Sequence, residues 1–453
     1  FPNGPYESRA SVIETNRKYK EEFENPQDGV GRATLLREGA LPHIRIDEIK
    51  IDGPLPEEKG RKEEVAVFGL GGFQAGRAVE QLHQFAERAY RRPLNALDRE
   101  RIQEFYSSRL ESEQSPRDAA LSTIKLILCS PSFLYLAEIT EESSTDLNAY
   151  DLASRLSYAL WSEPPDEILL EAAKNDQLQA ESQIAAQVKR MLKDQRSEAF
   201  YVGFLDSWLN LRSLGDLPPP RKFATEYYYE NLPPLMKEET KRFVRHLVEE
   251  NLAVKELLAA DYTFVNKSLA KLYGLPEKDQ MRLADGFQKV SVAGNKSRGG
   301  LLSMASVLTV SANGVDTSPV TRGAWILENI LGTPPPPPPD EVPSIDGNVA
   351  GAKTIREKLA LHRSDAACNL CHRRIDPLGF PLEHFDPVGR WRQKYPKQGG
   401  SDERAAIDSS GELLTGETFA NYQEFRQVLA ETRHLDLTTC IVKKLLEYST
   451  GRH

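Results

Sequence analysis

Cys368-Asn369-Leu370-Cys371-His372 is the stretch on which the reading of this 453-residue chain turns. Ahead of it, Thr354-Ile355-Arg356-Glu357-Lys358-Leu359-Ala360-Leu361-His362-Arg363 has the composition of a helix leading into the motif. Helix positions three apart share a face, so the two thiols point the same way with an imidazole next to them. That arrangement suits two thioether bonds to the vinyl groups of one porphyrin and a proximal nitrogen on its iron. The expectation is one covalently attached haem c on Cys368 and Cys371, with His372 as ligand to the haem iron. A structural zinc site would need further ligands in a paired cluster, and Cys129 and Cys440 are single and distant. A thioredoxin-type pair would need a strand just before the motif, which is not visible. A plain pair of structural thiols leaves His372 without a role.

The sequence after the motif, Arg373-Arg374-Ile375-Asp376-Pro377-Leu378-Gly379-Phe380-Pro381, reads as a turn with apolar groups for a haem wall. The carbonyl of Pro377 or Pro381 is expected to accept the Nδ1–H of His372 and fix its tautomer. Arg390 and Arg392 are candidate partners for haem propionates, with a solvated face as the alternative. Asp376, Glu383 and Asp386 read as turn-capping residues ahead of any role in proton transfer. An amphipathic helix from Thr438 to Tyr448 would close the pocket with Ile441, Leu445 and Tyr448. All four methionines, Met191, Met236, Met281 and Met304, precede the motif, so no His/Met site can be built within the C-terminal part alone. The candidates for a distal ligand are His384 and His434, with a side chain from elsewhere or an open position as alternatives. Two imidazoles favour electron transfer, and an open position favours peroxide or oxygen chemistry.

Outward from the motif the chain reads as mainly α: a multi-subdomain helical body with a short β-rich N-terminal segment and a C-terminal cytochrome-c-like haem module. In residues 1–73, His43–Ile51 alternates apolar and charged positions like a half-buried strand, and Glu64–Phe68 offers a second short strand. Helical periods then follow in 74–145 and 146–295, marked by Leu152/Leu156/Leu160, by Phe200/Phe204/Trp208, and by Met236, Thr240, Phe243, Val244 and Leu247. The first of these stripes should end before Pro164-Pro165, and the prolines at 218–220 and 233–234 divide the rest into pairs. Residues 296–340 form a connector whose six prolines, Pro334 to Pro339, read as a polyproline spacer rather than a ligand for proline-binding modules. Residues 341–453 make up the haem module. Gly69-Leu70-Gly71-Gly72 superficially suggests dinucleotide binding. However, the third glycine of that fingerprint falls at Gln74 and no βαβ alternation follows.

A formal net charge of −9 excludes a general nucleic-acid binder, which needs a positive field to displace phosphate counterions. No apolar run approaches the length of a transmembrane segment. Four cysteines are too few for a disulfide scaffold, although Cys129 and Cys440 could pair in an oxidising compartment. The opening Phe1-Pro2-Asn3-Gly4 points to a removed leader or a processed precursor, in keeping with a periplasmic or extracellular protein.

Several strings carry a family resemblance. Phe85–Leu94, Ser130–Tyr135, Leu152–Trp161, Asp261–Asn266 with Tyr273-Gly274, Arg298–Leu302, Thr317–Val320 with Arg322-Gly323, the proline run, the Cys-x-x-Cys-His motif with Asp376–Phe380, and Lys443–Tyr448 with Gly451-Arg452 recur in order. The chain thereby resembles the large planctomycete cytochrome-c-like proteins built of the domains of unknown function numbered 1595, 1592, 1588 and 1585. The resemblance implies export and haem binding at Cys368, Cys371 and His372, and it supplies no substrate. The strands in 1–73 would be the tail of an upstream domain.

The functional expectation is an exported monohaem redox protein passing electrons to a partner protein, extended to the haem part of an oxidoreductase for extracellular polymers such as polysaccharide. Two alternatives stay open. One is an envelope structural protein, a homo-oligomer or assembly with a bound haem. The other is a peroxidase-like enzyme with an open distal site.

Overall fold

The computed structural model describes residues 58–136, 147–277, 280, 286–336, 354–396 and 404–451. The expected strand at 43–51 and all but the first residues of the proline run lie outside them. Two compact units emerge. One holds the described residues up to Phe85 together with Glu100–Ile124, and the other holds Ala86–Arg99 and the described residues from Lys125 onward.

The first unit draws on helices α1 (Glu58–Phe68), α2 (Ala78–Tyr90), α3 (Ala96–Glu111) and α4 (Pro116–Leu128). The strand expected at 64–68 is instead the last part of α1, which corrects the β-rich expectation for that stretch. The charged helix formers from Glu58 onward propagate through Val65 and Val67, and a helix already nucleated extends at little further cost. Phe68 is buried and packs edge-on against Phe73 at 5.2 Å. The glycine-rich stretch after it is a turn tied down by Gln81, whose amide donates to the carbonyls of Phe68 (2.7 Å) and Gly72 (2.8 Å).

In the second unit α5 (Ala149–Trp161) stops at Ser162 in the left-handed region, before the proline pair, as its sequence predicts. It packs with α6 (Glu167–Lys174) and α7 (Glu181–Lys193) around Trp161, Leu169 and Met191. Next come α8 (Glu198–Trp208) and α9 (Leu232–Glu249), the latter opening on Pro233, where a missing N–H costs nothing. A two-stranded antiparallel ribbon, β1 (Tyr262–Val265) with β2 (Gln288–Ser291), interrupts the region expected to be wholly helical. Its first strand alternates half-buried Tyr262 and Phe264 with buried Thr263 and Val265, a period of two that the helical reading passed over.

Helices α10 (Ala305–Val310), α11 (Pro319–Asn329), α12 (Ile355–His362) and α13 (Ala366–Gly379) follow, then a second short ribbon and α14 (Tyr422–Thr432) with α15 (His434–Thr450). One core joins them to the body: Phe204, Trp208, Phe243, Trp325, Ile375 and Tyr422 belong to a single buried cluster. Helices α11 and α13 meet through glycines. A methyl group at Gly323 would be driven into the carbonyl of Ile375, and one at Gly379 into that of Pro319. Only a residue without Cβ permits that approach.

Candidate functional site

The motif occupies the first half of α13. Asp365 caps the helix, its carboxylate accepting from the amides of Ala367 (2.7 Å) and Cys368 (3.3 Å). The helix does not end in a turn after His372, as expected, but runs on to Gly379 with Pro377 inside it. Pro377 lacks the N–H that would bond the carbonyl of Arg373, a loss that falls in the last turn of the helix. Cys368 and Cys371 are free thiols, both half-buried.

Continuation of the helix decides what holds His372. Residues 372 and 376 sit four apart on one helical face, and the imidazole Nδ1–H donates to Asp376 Oδ1 at 2.9 Å. The expected acceptor, a carbonyl of Pro377 or Pro381, is replaced by this carboxylate. Asp376 is fully buried, its Oδ2 accepts no hydrogen bond, and the Arg363 guanidinium stands 3.7 Å away. Burial pushes the Asp376 carboxyl above the usual carboxylate range, and the His372 hydrogen bond and the Arg363 charge oppose that rise. With Nδ1 engaged, Nε2 of His372 is left as the free lone pair. The His372 side chain as a whole is 14% exposed.

His362, at the end of α12, was not singled out from the sequence. Its ring lies edge-to-face on His372 with centroids 4.8 Å apart. Arg363, its neighbour, also went unnoticed as the counter-charge of Asp376. Both sit at the close of a helix whose start was legible, since Thr354 and Glu357 form a reciprocal capping box.

The residues proposed from the sequence beyond the motif are otherwise engaged. His384 donates from Nδ1 to the carbonyl of Arg392 (2.9 Å) and accepts at Nε2 from the Ser409 hydroxyl (3.1 Å), and its ring stacks on Trp391 at 4.5 Å. His434 opens α15, exposed, with Nδ1 donating to the carbonyl of Glu431 at 3.1 Å. Its surroundings are a cleft of about 590 Å³ that also involves Lys255, Gln427 and Glu431. Arg390 donates to Asp386 and Glu226, both at 2.6 Å, and Arg392 to the carbonyl of Glu383 at 2.8 Å. Neither arginine is brought to the motif by these bonds. Asp386 caps its own turn, accepting from Val388 and Arg390 amides, as expected. Glu383 is instead buried beside Thr317, 2.8 Å from its hydroxyl. Ile441, Leu445 and Tyr448 pack on the main core, the cluster against which Cys371 also packs, and Tyr448 meets Phe200 and Phe204 there. Cys129 and Cys440 are both free, one exposed and one buried with its thiol 3.5 Å from the carbonyl of Glu328.

Beneath α13 the segment 380–386 is held by one fully buried side chain. Arg322 donates to the carbonyls of Leu382, Phe385 (2.7 Å), Asp386 (3.1 Å) and Leu308 (3.3 Å). Its guanidinium is pulled down to about 10 by burial, with Glu383 acting in the opposite sense. Both terminal nitrogens of this deep charge donate to fixed carbonyl dipoles, while Nε donates to none.

The donor set fits a c-type haem. Two reduced thiols one helical turn apart precede an imidazole whose Nδ1 is already bonded and whose Nε2 is free. Among the described residues no three His, Cys, Asp or Glu side chains converge as a set able to hold a metal ion, so a tetrahedral site at these thiols is not assembled there. Also among the described residues, no helix is long and apolar enough to cross a membrane.

Three family descriptions match the chain in order: PSD5, a protein of unknown function (DUF1595), over residues 77–138; PSD4, a protein of unknown function (DUF1592), over 147–275; and PSCyt3, a protein of unknown function (DUF1588), over 298–395. The last contains Cys368, Cys371, His372 and Asp376. No curated protein and no solved structure matches. The chain belongs to the planctomycete cytochrome-c-like proteins assembled from these three domains.

Proposed function

We propose that this chain is an exported monohaem cytochrome c that passes electrons between partner proteins. One observation carries the proposal: the Cys368 and Cys371 thiols are free on α13, and the adjacent His372 is held at Nδ1 by a buried carboxylate with Nε2 unspent. A haem iron held there supplies a one-electron couple. The chain's own residues do the rest. Cys368 and Cys371 anchor the macrocycle covalently, His372 Nε2 ligates the iron, and Asp376 keeps the imidazole in the ligating tautomer. The cytochrome-like description of the matched 298–395 domain supports the assignment. Thioether attachment outside the cytoplasm accounts for the expected export.

Intact mass and a pyridine haemochrome assay on the exported chain test this. One covalent haem per chain is expected, weakened by Cys371→Ala, with the native Soret band lost in His372→Ala. An exported chain without covalent haem, or a His372→Ala protein with an unchanged spectrum, would remove the assignment. The response of the reduced protein to carbon monoxide then separates a six-coordinate carrier from a peroxidase-like open site.

A further inference from the structure

We infer that Asp376 is a positioning residue that sets the reduction potential of this site, holding it well below that of a cytochrome whose proximal histidine donates to a backbone carbonyl. The inference rests on the haem assignment above and extends it. A carbonyl is a neutral acceptor. The acceptor here is a carboxylate, fully buried and 2.9 Å from His372 Nδ1. A charged acceptor in a dry site shares the imidazole proton more fully, so the ring donates more electron density through Nε2. Electron-rich ligation stabilises the ferric over the ferrous state, which lowers the potential.

Three features make this arrangement more than a helix-surface pair. Asp376 has no exposure, its Oδ2 accepts no hydrogen bond, and the Arg363 guanidinium is ion-paired with that oxygen only at 3.7 Å. A carboxylate that accepts its hydrogen bond from the histidine side, with a cation at ion-pair distance on the other, is directed at that bond. His362, whose ring touches His372, and Arg363 both belong to the end of α12, so this short helix supplies the polar surroundings of the pair.

Potentiometry on the haem-loaded full chain tests it with Asp376→Asn, which keeps the shape and removes the charge. The ferric–ferrous equilibrium should move at least tenfold toward the ferrous form, a rise of about 59 mV for one electron. Arg363→Gln, which removes the cation from the other carboxylate oxygen, should move it the opposite way. Glu412→Gln, an exposed carboxylate on a neighbouring cleft that does not touch His372, should leave the potential within threefold. An Asp376→Asn protein that loads haem yet keeps the wild-type potential overturns the inference and leaves the haem assignment intact. Wild-type protein without haem would instead defeat the assignment. Should Asp376→Asn not load, the wild-type chain made without haem and labelled with ¹⁵N-histidine decides. His372 protonated at Nδ1 supports the inference, and protonation at Nε2 overturns it.

Discussion

At the scale of single residues, histidine fates separate by what each ring nitrogen already does. His372 keeps one nitrogen free because a carboxylate takes the other. His384 keeps none: Arg392 and Ser409 hold both, and Trp391 covers the face. His384→Ala should therefore leave the haem spectrum unchanged while costing about 2 kcal/mol of stability in urea unfolding, the sum of two modest hydrogen bonds. A lost or shifted Soret band in that variant would show that the ring leaves its bonds to ligate iron. The distinction was out of reach in sequence, where His384 and His434 differ only in distance from the motif. The His372–Asp376 pair was within reach. Its spacing of four is helical, but Pro377 invites an early helix end and so hides it.

At the scale of elements, the Cys-x-x-Cys-His helix owes its position to α11. The two are brought into backbone contact at Gly323 and Gly379, where no side chain intervenes. Close-packed interiors do not yield to an added methyl without moving the backbone. Gly323→Ala should thus destabilise the chain by about 3 kcal/mol in denaturant titration. Gly76→Ala, at a position with open space around it, serves as the comparison. Equal stabilities for the two would mean that α11 and α13 are not held as described. The helices themselves were readable from their stripes and caps: α5 ends before its proline pair and α12 begins at a Ser/Thr-type cap followed by Glu357. The short β1–β2 ribbon was not, because four residues of alternation inside a helical stretch are too few to outweigh it.

At the scale of the molecule, buried charge makes stability depend on pH. Glu239 lies wholly inside, bonded by Thr263 (2.5 Å) and Tyr273, whose ring lies 3.9 Å from the Arg298 guanidinium. Burial raises its carboxyl from 4.5 to about 7. The folded chain then holds this proton more tightly than the unfolded chain does. The stabilisation is complete below about pH 4.5 and disappears as the pH rises through about 7. Glu239→Gln, which stays neutral, should gain on the wild type by on the order of 3 kcal/mol across that window. A stability difference that stays flat from pH 4 to 8 would show that Glu239 is ionised throughout in the fold.

The amino-acid order alone determined the helical class, the family and the presence of the motif, since each rests on local pattern: a step of three from thiol to thiol, of four between core positions, of one from Cys371 to His372. What only the tertiary structure decided is which group completes the site. The acceptor for His372, the counter-charge at Arg363 and the internal bonding of His384, Arg390 and Arg392 depend on where α13 ends and which helices cross it. Those are set by the packing of α11 at Gly323 and by the carbonyls that accept from Arg322, and long-range contacts of that kind leave no periodic trace in the chain.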